Sequence, residues 1–133
     1  MTLSDYIGIP FEPHGRTHRG LDCYGLVRLV MAEMYGLATR DYRDYASTRP
    51  KDCAGLFRGA QTDSEWKKIP NPMPGDVVLI NILGMPAHCG IYAGNGDFVH
   101  ASHEAGVCME RLSAPLWAKR IAGYFRHRER FYG

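Results

Sequence analysis

The hydrophobic positions of the chain follow a helical period in its first half and a strand period in its second. In the first half they form one continuous stripe at helical spacing, made by Cys23, Leu26, Val27, Val30, Met31 and Met34. Asp22 is suited to cap the start of this helix and Gly36 to end it, so the pattern predicts a helix between them. From Asp76 onward, short runs of apolar and β-branched residues predict strands over residues 77–82, 87–93, 97–102, 106–111 and 121–126.

The remaining segments carry weaker patterns. Residues 1–21 are punctuated by glycine and proline and are predicted to be irregular. One short helix is predicted near 50–58, and residues 113–115 open another short helical stretch. With 133 residues, the chain has the length of one ordinary domain. We therefore predict a single α+β domain over residues 1–133, with helices at the front packed on an antiparallel sheet of about five strands.

A predicted hairpin brings two histidines together. Gly94-Asn-Gly96 is a strong turn signal between two predicted strands. A three-residue loop sets His100 opposite Gly90, so that His88 and His100 project from the same face as diagonal neighbours. A two-residue loop would place the two histidines on opposite faces. In the first register Cys89 points to the other face, and we predict that it belongs to the core.

Cys23 is the candidate nucleophile of the chain. In the first turn of the predicted helix it lies among unpaired N–H groups at the positive end of the helix dipole, which lowers the pKa of a thiol and favours the thiolate. Gly25 lies in the same turn and lacks a side chain, which would let the backbone of a substrate approach the sulfur. The alternative is that Cys23 is simply the top of the apolar stripe and packs in the core.

The two histidines supply the groups that a cysteine nucleophile requires. His88 is the candidate general base for Cys23, and His100 is the candidate residue that orients His88 and fixes its tautomer. The alternative for His100 is a half-buried histidine with a structural role. A zinc site is another alternative, because potential ligands cluster here: His88, Cys89, His100, His103 and Cys108. No spacing matches a structural zinc motif, so we predict no metal.

Composition and charge exclude several classes of protein. Apolar residues make up 45% of the chain, which excludes intrinsic disorder, and no apolar run has the length of a membrane span. The net charge of +2 is too weak and dispersed to argue for a nucleic-acid partner. The first residues lack the basic and apolar regions of a secretory signal. We therefore expect synthesis in the cytoplasm and reduced thiols at Cys23, Cys53, Cys89 and Cys108.

Four motifs, in order along the chain, resemble those of the NlpC family of papain-like cysteine peptidases. Asp22-Cys-Tyr-Gly-Leu-Val27 resembles the nucleophile motif of the family, and Pro74-Gly-Asp-Val-Val78 resembles its Pro-Gly-Asp-Leu strand opener. Ala87-His-Cys-Gly-Ile-Tyr92 is similar to its His-Val-Gly-Ile-Tyr strand, and Phe98-Val-His-Ala-Ser102 to the strand that carries its third catalytic residue. Together the motifs span residues 22–102.

The resemblance implies a circularly permuted papain core and a hydrolase of peptide bonds in peptidoglycan stem peptides, with no cofactor. Cys23 would form a thioester, His88 would act as the base, and His100 would be the third member of the triad. Asp22 would lie in the substrate pocket, where family members hold the free amine of a stem peptide. The backbone N–H of Cys23 would contribute to the oxyanion hole.

Two positions depart from the family pattern. Phe11 stands where members usually carry a tyrosine that helps to bind the oxyanion, and Tyr24 replaces the serine that commonly follows the cysteine, which reshapes or narrows the substrate pocket. Tyr24, the arginine-rich front loop at 15–20 and the segment 120–126 resemble a subgroup found in tail-tip assembly proteins of lambda-like phages and prophages. This subgroup implies other phage tail proteins as partners and delivery in a virion. The alternatives are a structural tail component with little or no hydrolase activity, and a cytosolic amidase or acyltransferase of the same clan.

Overall fold

In a computed structural model, which describes residues 1–42 and 45–131, the predicted apolar stripe forms helix α1 (Cys23–Tyr35). Asp22 caps its start by accepting a hydrogen bond from the backbone N–H of Gly25 at 2.8 Å. Gly36 ends the helix in the left-handed region, with a φ of 66°. Both predicted ends of this helix are confirmed, and its apolar stripe is buried against the sheet.

A second helix, α2 (Pro50–Thr62), covers the same face of the sheet. It begins at a proline, as is common in the first turn of a helix, and it buries Cys53, Ala54 and Phe57. It extends beyond the predicted 50–58. The sequence pattern underestimates its length because glycines at 55 and 59 weaken the helical signal.

Within the described residues, the main sheet has six antiparallel strands instead of about five. A small ladder of β1 (Arg16–Thr17) and β2 (Gly20–Leu21) precedes α1. The strands of the main sheet are β3 (Trp66–Ile69), β4 (Val77–Ile82), β5 (Met85–Gly94), β6 (Asp97–Ser102), β7 (Gly106–Arg111) and β8 (Ile121–His127), in the spatial order β3–β8–β4–β5–β6–β7. The five predicted strands are confirmed. Sequence reasoning misses β3, because this short edge strand carries two exposed lysines and shows no clear alternation.

The two faces of the sheet bury different clusters. Helices α1 and α2 pack on one face, where side chains such as Leu79 and Cys89 are buried. On the opposite face, Val78 and Phe98 pack with Trp117. Side chains alternate between these faces along each strand. The predicted α+β class is confirmed.

The turn between β5 and β6 has two residues, Asn95 and Gly96, instead of three, and both have positive φ. A register shift just before the turn adds one residue, so that Ile91 pairs with Val99, as the three-residue loop predicts. The predicted relation between the two histidines is therefore kept although the turn itself differs.

The segment between β7 and β8 forms turns where a short helix was predicted. The backbone N–H groups of Trp117 and Ala118 both donate to the carbonyl of Ala114. The first bond spans three residues, as in a tight turn, and the second spans four, as in an α-helix. The prediction of a helix is wrong here because the segment bends tightly to bring Trp117 onto the sheet.

Two arginines near the end of the chain bind one buried carboxylate. Asp76 is fully buried and accepts hydrogen bonds from the guanidinium groups of Arg126 and Arg130 at 2.7–2.8 Å. The arginines near the end of the chain therefore hold the turn before β4 in place.

The described part of the chain covers nearly all of the predicted domain at 1–133; residues 43–44 and 132–133 lie outside the described residues. No helix within residues 1–42 and 45–131 is long and apolar enough to cross a membrane.

Candidate active site

Cys23 occupies the first position of α1, where the sequence places it, and only 7% of its surface is exposed. The N–H groups of this first turn have no partner inside the helix, and the helix dipole adds partial positive charge. Both features favour a thiolate at this position.

Asp22, directly before the nucleophile, is buried and fully bonded by the protein. It accepts hydrogen bonds from the backbone N–H groups of His14 at 2.9 Å and Gly25 at 2.8 Å. It also accepts from the guanidinium of Arg16 at 2.8 Å and from the hydroxyl of Tyr45. Its role as a substrate contact stays a prediction, and an incoming amine would compete with Arg16 for the carboxylate.

The structure places Gly25 and Tyr24 against the protein itself. A side-chain carbon at Gly25 would lie 1.9 Å from the carbonyl oxygen of Gly15, so the space predicted for a substrate backbone is occupied by the chain's own front loop. This corrects the predicted role of Gly25. Tyr24 is buried, donates its hydroxyl to the carbonyl of Arg40 at 2.8 Å, and lines a small apolar cavity with Phe57. Its effect on the substrate pocket stays a prediction.

The structure brings the three predicted catalytic residues together. His88 lies close enough to Cys23 to lower the pKa of its thiol. Nε2 of His88 lies 2.8 Å from Nδ1 of His100. The pairing of β4 with β5 shifts by one residue beside His88, and such bulges redirect side chains. A side-chain carbon at Gly90 would lie 2.7 Å from the carbonyl oxygen of Val99 and 3.1 Å from Cβ of His100, so the strands approach closely here.

Two residues that sequence reasoning missed extend this series. Oε2 of Glu110 lies 2.5 Å from Nε2 of His100, and Nε1 of Trp117 donates to Oε1 of Glu110 at 3.1 Å. The Trp117 ring also stacks on His88, with 6.3 Å between ring centres. Carrying the strand pairing through the next turn would have placed Glu110 opposite Phe98, close to His100, so a signal for it exists in the sequence.

The charge states of His100 and Glu110 determine which ring nitrogens of the two histidines carry protons. Burial and the neighbouring His88 lower the pKa of His100 to about 4, so this ring is neutral near pH 7. Burial opposes ionisation of Glu110, but hydrogen bonds from Trp117 and His100 outweigh it and lower the pKa of this carboxyl group. Because an ionised carboxylate only accepts, Nε2 of His100 carries the proton and Nδ1 accepts one from Nε2 of His88. Nδ1 of His88 is therefore left to accept the thiol proton.

Cys89 stabilises the charged form of the candidate nucleophile. A hydrogen bond from Cys89 lowers the pKa of the Cys23 thiol well below its ordinary value, and His88 adds to this effect against burial and the Asp22 charge. Burial and the hydrogen bond to Cys23 raise the pKa of Cys89 well above its ordinary value. The proton consequently stays on Cys89 and the charge on Cys23. Cys89 is a core residue, as predicted, but its contact with Cys23 was not foreseen.

The pKa values of the other two thiols, Cys53 and Cys108, are raised instead of lowered. Burial raises the pKa of Cys53 to about 12, and its sulfur lies 3.6 Å from the carbonyl oxygen of Ser47. Burial and the charge of Glu110 raise the pKa of Cys108. Among the four thiols, all of which lie within the described residues, Cys23 is the one that favours the thiolate.

The position of the expected oxyanion tyrosine carries no hydroxyl. Phe11 stacks on His103, with ring centres 3.9 Å apart. Tyr6, the nearest preceding tyrosine, donates its hydroxyl to Glu33 at 2.8 Å. Neither residue offers a hydroxyl group to Cys23.

A groove of about 670 Å³ opens beside the histidines. It is lined by His88 and His100 on the sheet, by Trp117, and by Pro50 at the start of α2. A substrate therefore has access to the histidine side of the candidate triad.

The chain is similar to proteins of known family. A family model described as the NlpC/P60 family matches residues 8–126. Murein DD-endopeptidase MepS/Murein LD-carboxypeptidase of Escherichia coli K12 is 32% identical over 120 residues, which cover 88% of this chain and 55% of that protein. Probable endopeptidase NlpC of the same strain is 32% identical over 122 residues, which cover 90% of this chain and 70% of that protein. The chain thus spans about half the length of the first of these relatives.

Solved structures share the fold. The NlpC/p60 domain of peptidoglycan hydrolase SagA matches with a TM-score of 0.64 and 18% identity, over 93% of this chain and 92% of that one. NlpC1 from Trichomonas vaginalis matches with a TM-score of 0.69 and 16% identity, over 94% of this chain and 41% of that one. These structures confirm the predicted fold, and the family match covers nearly the whole chain. The chain belongs to the NlpC/P60 family.

Proposed function

We propose that this chain is a cysteine peptidase that hydrolyses peptide bonds in the stem peptides of peptidoglycan through a thioester on Cys23. The observation that carries the proposal is that His88, which lowers the pKa of the Cys23 thiol, is hydrogen-bonded to His100 and through His100 to Glu110. The names of the relatives support the substrate class, since they include murein and peptidoglycan endopeptidases.

In the first half of the reaction, Nδ1 of His88 holds the proton of the Cys23 thiol and the thiolate attacks the carbonyl carbon of the substrate. The backbone N–H of Cys23, which has no partner inside the helix because it lies at the start of α1, donates to the carbonyl oxygen as it becomes negative. The protonated His88 then gives its proton to the leaving amine, and a thioester remains on Cys23.

In the second half, His88 takes a proton from a water molecule that attacks the thioester. The carbon–sulfur bond breaks, the acyl group leaves as a carboxylic acid, and the proton returns from His88 to the Cys23 sulfur. His100 accepts from His88 throughout and keeps the reactive nitrogen of that ring directed at the sulfur.

Digestion of purified peptidoglycan tests this proposal. We expect the wild-type protein to release cleaved stem peptides, measured by chromatography and mass spectrometry of the muropeptides. Cys23→Ala is expected to reduce the release by at least about a thousandfold. Cys53→Ala is the matched control, because it removes a buried thiol that takes no part in the reaction.

Three outcomes would contradict parts of the proposal. Release that persists with Cys23→Ala would exclude this cysteine as the nucleophile. No release by the folded wild-type protein would favour a structural role. Hydrolysis of a soluble amide but not of peptidoglycan would favour an amidase or acyltransferase of the same clan.

A second candidate function is that of a structural component of a phage tail that is delivered in the virion. It is supported by Phe11, which offers no hydroxyl group where family members bind the oxyanion, and by the resemblance of the front loop to tail-tip assembly proteins. This candidate predicts that the Cys23→Ala variant still assembles with tail-tip proteins on co-expression. Failure of both wild-type protein and variant to associate with a tail complex would count against it.

A further inference from the structure

We propose that His100, Cys108 and Glu110 form a binding site for Zn²⁺ at the outer end of the histidine series, and that zinc bound there switches the peptidase off. The site itself follows from the geometry of the three side chains. The inhibitory effect rests on the proposed function, because it requires Cys23 and His88 to act as nucleophile and base.

The three side chains are already arranged like ligands of one ion. Nε2 of His100, Sγ of Cys108 and a carboxylate oxygen of Glu110 all lie within 4.8 Å of one another. They share one face of the β6–β7 pair, because His100 pairs with Cys108 across the strands and Glu110 lies two residues further along β7. Two paired strands therefore hold all three ligands.

The distances between these atoms suit a tetrahedral zinc ion. Zinc bonds of about 2.0–2.3 Å separate neighbouring ligand atoms by about 3.3–3.7 Å. The sulfur of Cys108 lies 3.7 Å from Nε2 of His100, so this pair fits as it stands. Nε2 of His100 and Oε2 of Glu110 are 2.5 Å apart and need to separate by only about 1 Å, a change that the half-buried Glu110 side chain can make.

The chemistry of the ligands favours zinc over other common divalent cations. A nitrogen, a sulfur and an oxygen ligand form a mixed set that zinc accepts, whereas magnesium and calcium prefer oxygen ligands alone. The three residues line the groove of about 670 Å³, so the ion can enter from solvent and a water molecule can complete its coordination.

Zinc at this site would reverse the tautomers on which the proposed reaction depends. The ion displaces to solvent the proton of the Cys108 thiol and the proton on Nε2 of His100. The proton between the rings then moves from Nε2 of His88 to Nδ1 of His100, while Nδ1 of His88 keeps the proton that it holds from Cys23. His88 is left as a neutral ring, which is too weak an acid to protonate the leaving amine.

Direct zinc binding, measured in the absence of the catalytic thiol, tests the site. In the Cys23→Ala background we expect isothermal titration calorimetry with ZnCl₂ to detect one bound zinc ion per chain. Cys108→Ser and Glu110→Gln, each in the same background, are expected to weaken binding by about tenfold or more. Glu104→Gln is the matched control, because this exposed glutamate lines the same groove and is not one of the three ligands. Circular dichroism of each variant verifies that it is folded.

Inhibition is measured separately, on peptidoglycan. We expect zinc to inhibit the wild-type protein and a chelator to restore it, with Cys108→Ser needing about tenfold more zinc for the same fractional loss. Equal zinc sensitivity of Cys108→Ser and wild type would overturn the inhibitory role, because the ion would then act at Cys23. No zinc binding by Cys23→Ala, or binding that neither ligand variant weakens, would overturn the site. Zinc binding through Cys108 in a protein that does not hydrolyse peptidoglycan would support the site and refute the proposed function.

Discussion

Asp22 directly precedes the candidate nucleophile and Glu110 lies at the outer end of the histidine series, and the protein holds these two carboxylates in different ways. Asp22 is 1% exposed, and two backbone N–H groups, the Arg16 guanidinium and the Tyr45 hydroxyl saturate it. The side chain of Glu110 is 34% exposed and bonds to the neutral groups of His100 and Trp117.

This difference suits Asp22 to anchoring the helix and Glu110 to proton transfer along the histidines. A fixed cation balances the charge of Asp22, so this carboxylate secures the start of α1 and with it the position of Cys23. The charge of Glu110 meets no fixed cation among these contacts, and it can respond to a proton that moves along the two histidine rings. We therefore expect changes on the Asp22 side to reduce stability and changes on the Glu110 side to reduce turnover.

Arg16→Met tests the Asp22 side of the site, and of the variants proposed here it is expected to have the largest effect. It leaves the Asp22 charge buried without its cation and should reduce the free energy of unfolding by about 3–5 kcal/mol. Chemical denaturation followed by circular dichroism measures this loss. Arg111→Met is the control, because its ion pair with Asp97 is 3.7 Å long and exposed, and its removal should cost less than about 1 kcal/mol. Similar losses for both variants would show that Asp22 is not an anchor.

His100→Ala tests the Glu110 side of the site and is expected to reduce turnover. Without an acceptor for Nε2–H, His88 loses its orientation, and kcat on muropeptide substrates should fall by about a hundredfold or more. His100→Asn places an amide oxygen where Nδ1 was and should recover part of the loss. It should not recover all of it, since an asparagine does not reach Glu110. Equal activity of the two variants would contradict the orienting role of His100.

The parts of this site that could be predicted from the sequence are those set by local rules. A cysteine after a helix-capping aspartate and two histidines on one face of a hairpin follow from helix and strand periods alone. The hairpin prediction held although the turn has two residues, because a bulge restored the register. Alternation on a strand is therefore a stronger guide to side-chain direction than the length of the turn.

The parts that could not be predicted depend on contacts between distant segments. Arg16 reaches Asp22 from the front loop, and Trp117 reaches Glu110 from a turn that resembles a helix in sequence. The contact between Cys89 and Cys23 joins a strand to the start of α1. Periodicity within one element carries no information about which other element packs on it.

Cys89→Val tests whether the Cys89 thiol stabilises the thiolate of Cys23. The valine fits the core face but cannot donate a hydrogen bond to the Cys23 thiolate, so the pKa of Cys23 should rise by about one unit or more. Labelling of Cys23 by iodoacetamide near pH 6, measured by mass spectrometry, should slow by about tenfold. Cys53→Ala should leave the rate unchanged, because the sulfur of that residue contacts Ser47. A rate in Cys89→Val that matches the wild-type rate would exclude Cys89 as the donor.

Trp117→Phe is expected to have the smallest effect, and its pH dependence identifies the cause. The variant removes the N–H that bonds to Glu110 at 3.1 Å but keeps an aromatic ring against His88. Glu110 has a lowered pKa in the folded protein, so it adds stability above its unfolded pKa of about 4.3, and this contribution is lost as the pH falls through the folded pKa.

Removal of the Trp117 donor reduces that contribution, by less than about 1 kcal/mol because solvent reaches the carboxylate. The free energy of unfolding of Trp117→Phe should therefore differ more from wild type at pH 7 than at acidic pH. In a Glu110→Gln background the pH-dependent part of this difference should vanish, whereas any loss of packing should remain at every pH. A difference that is independent of pH in both backgrounds would show that Trp117 acts on the site through packing alone.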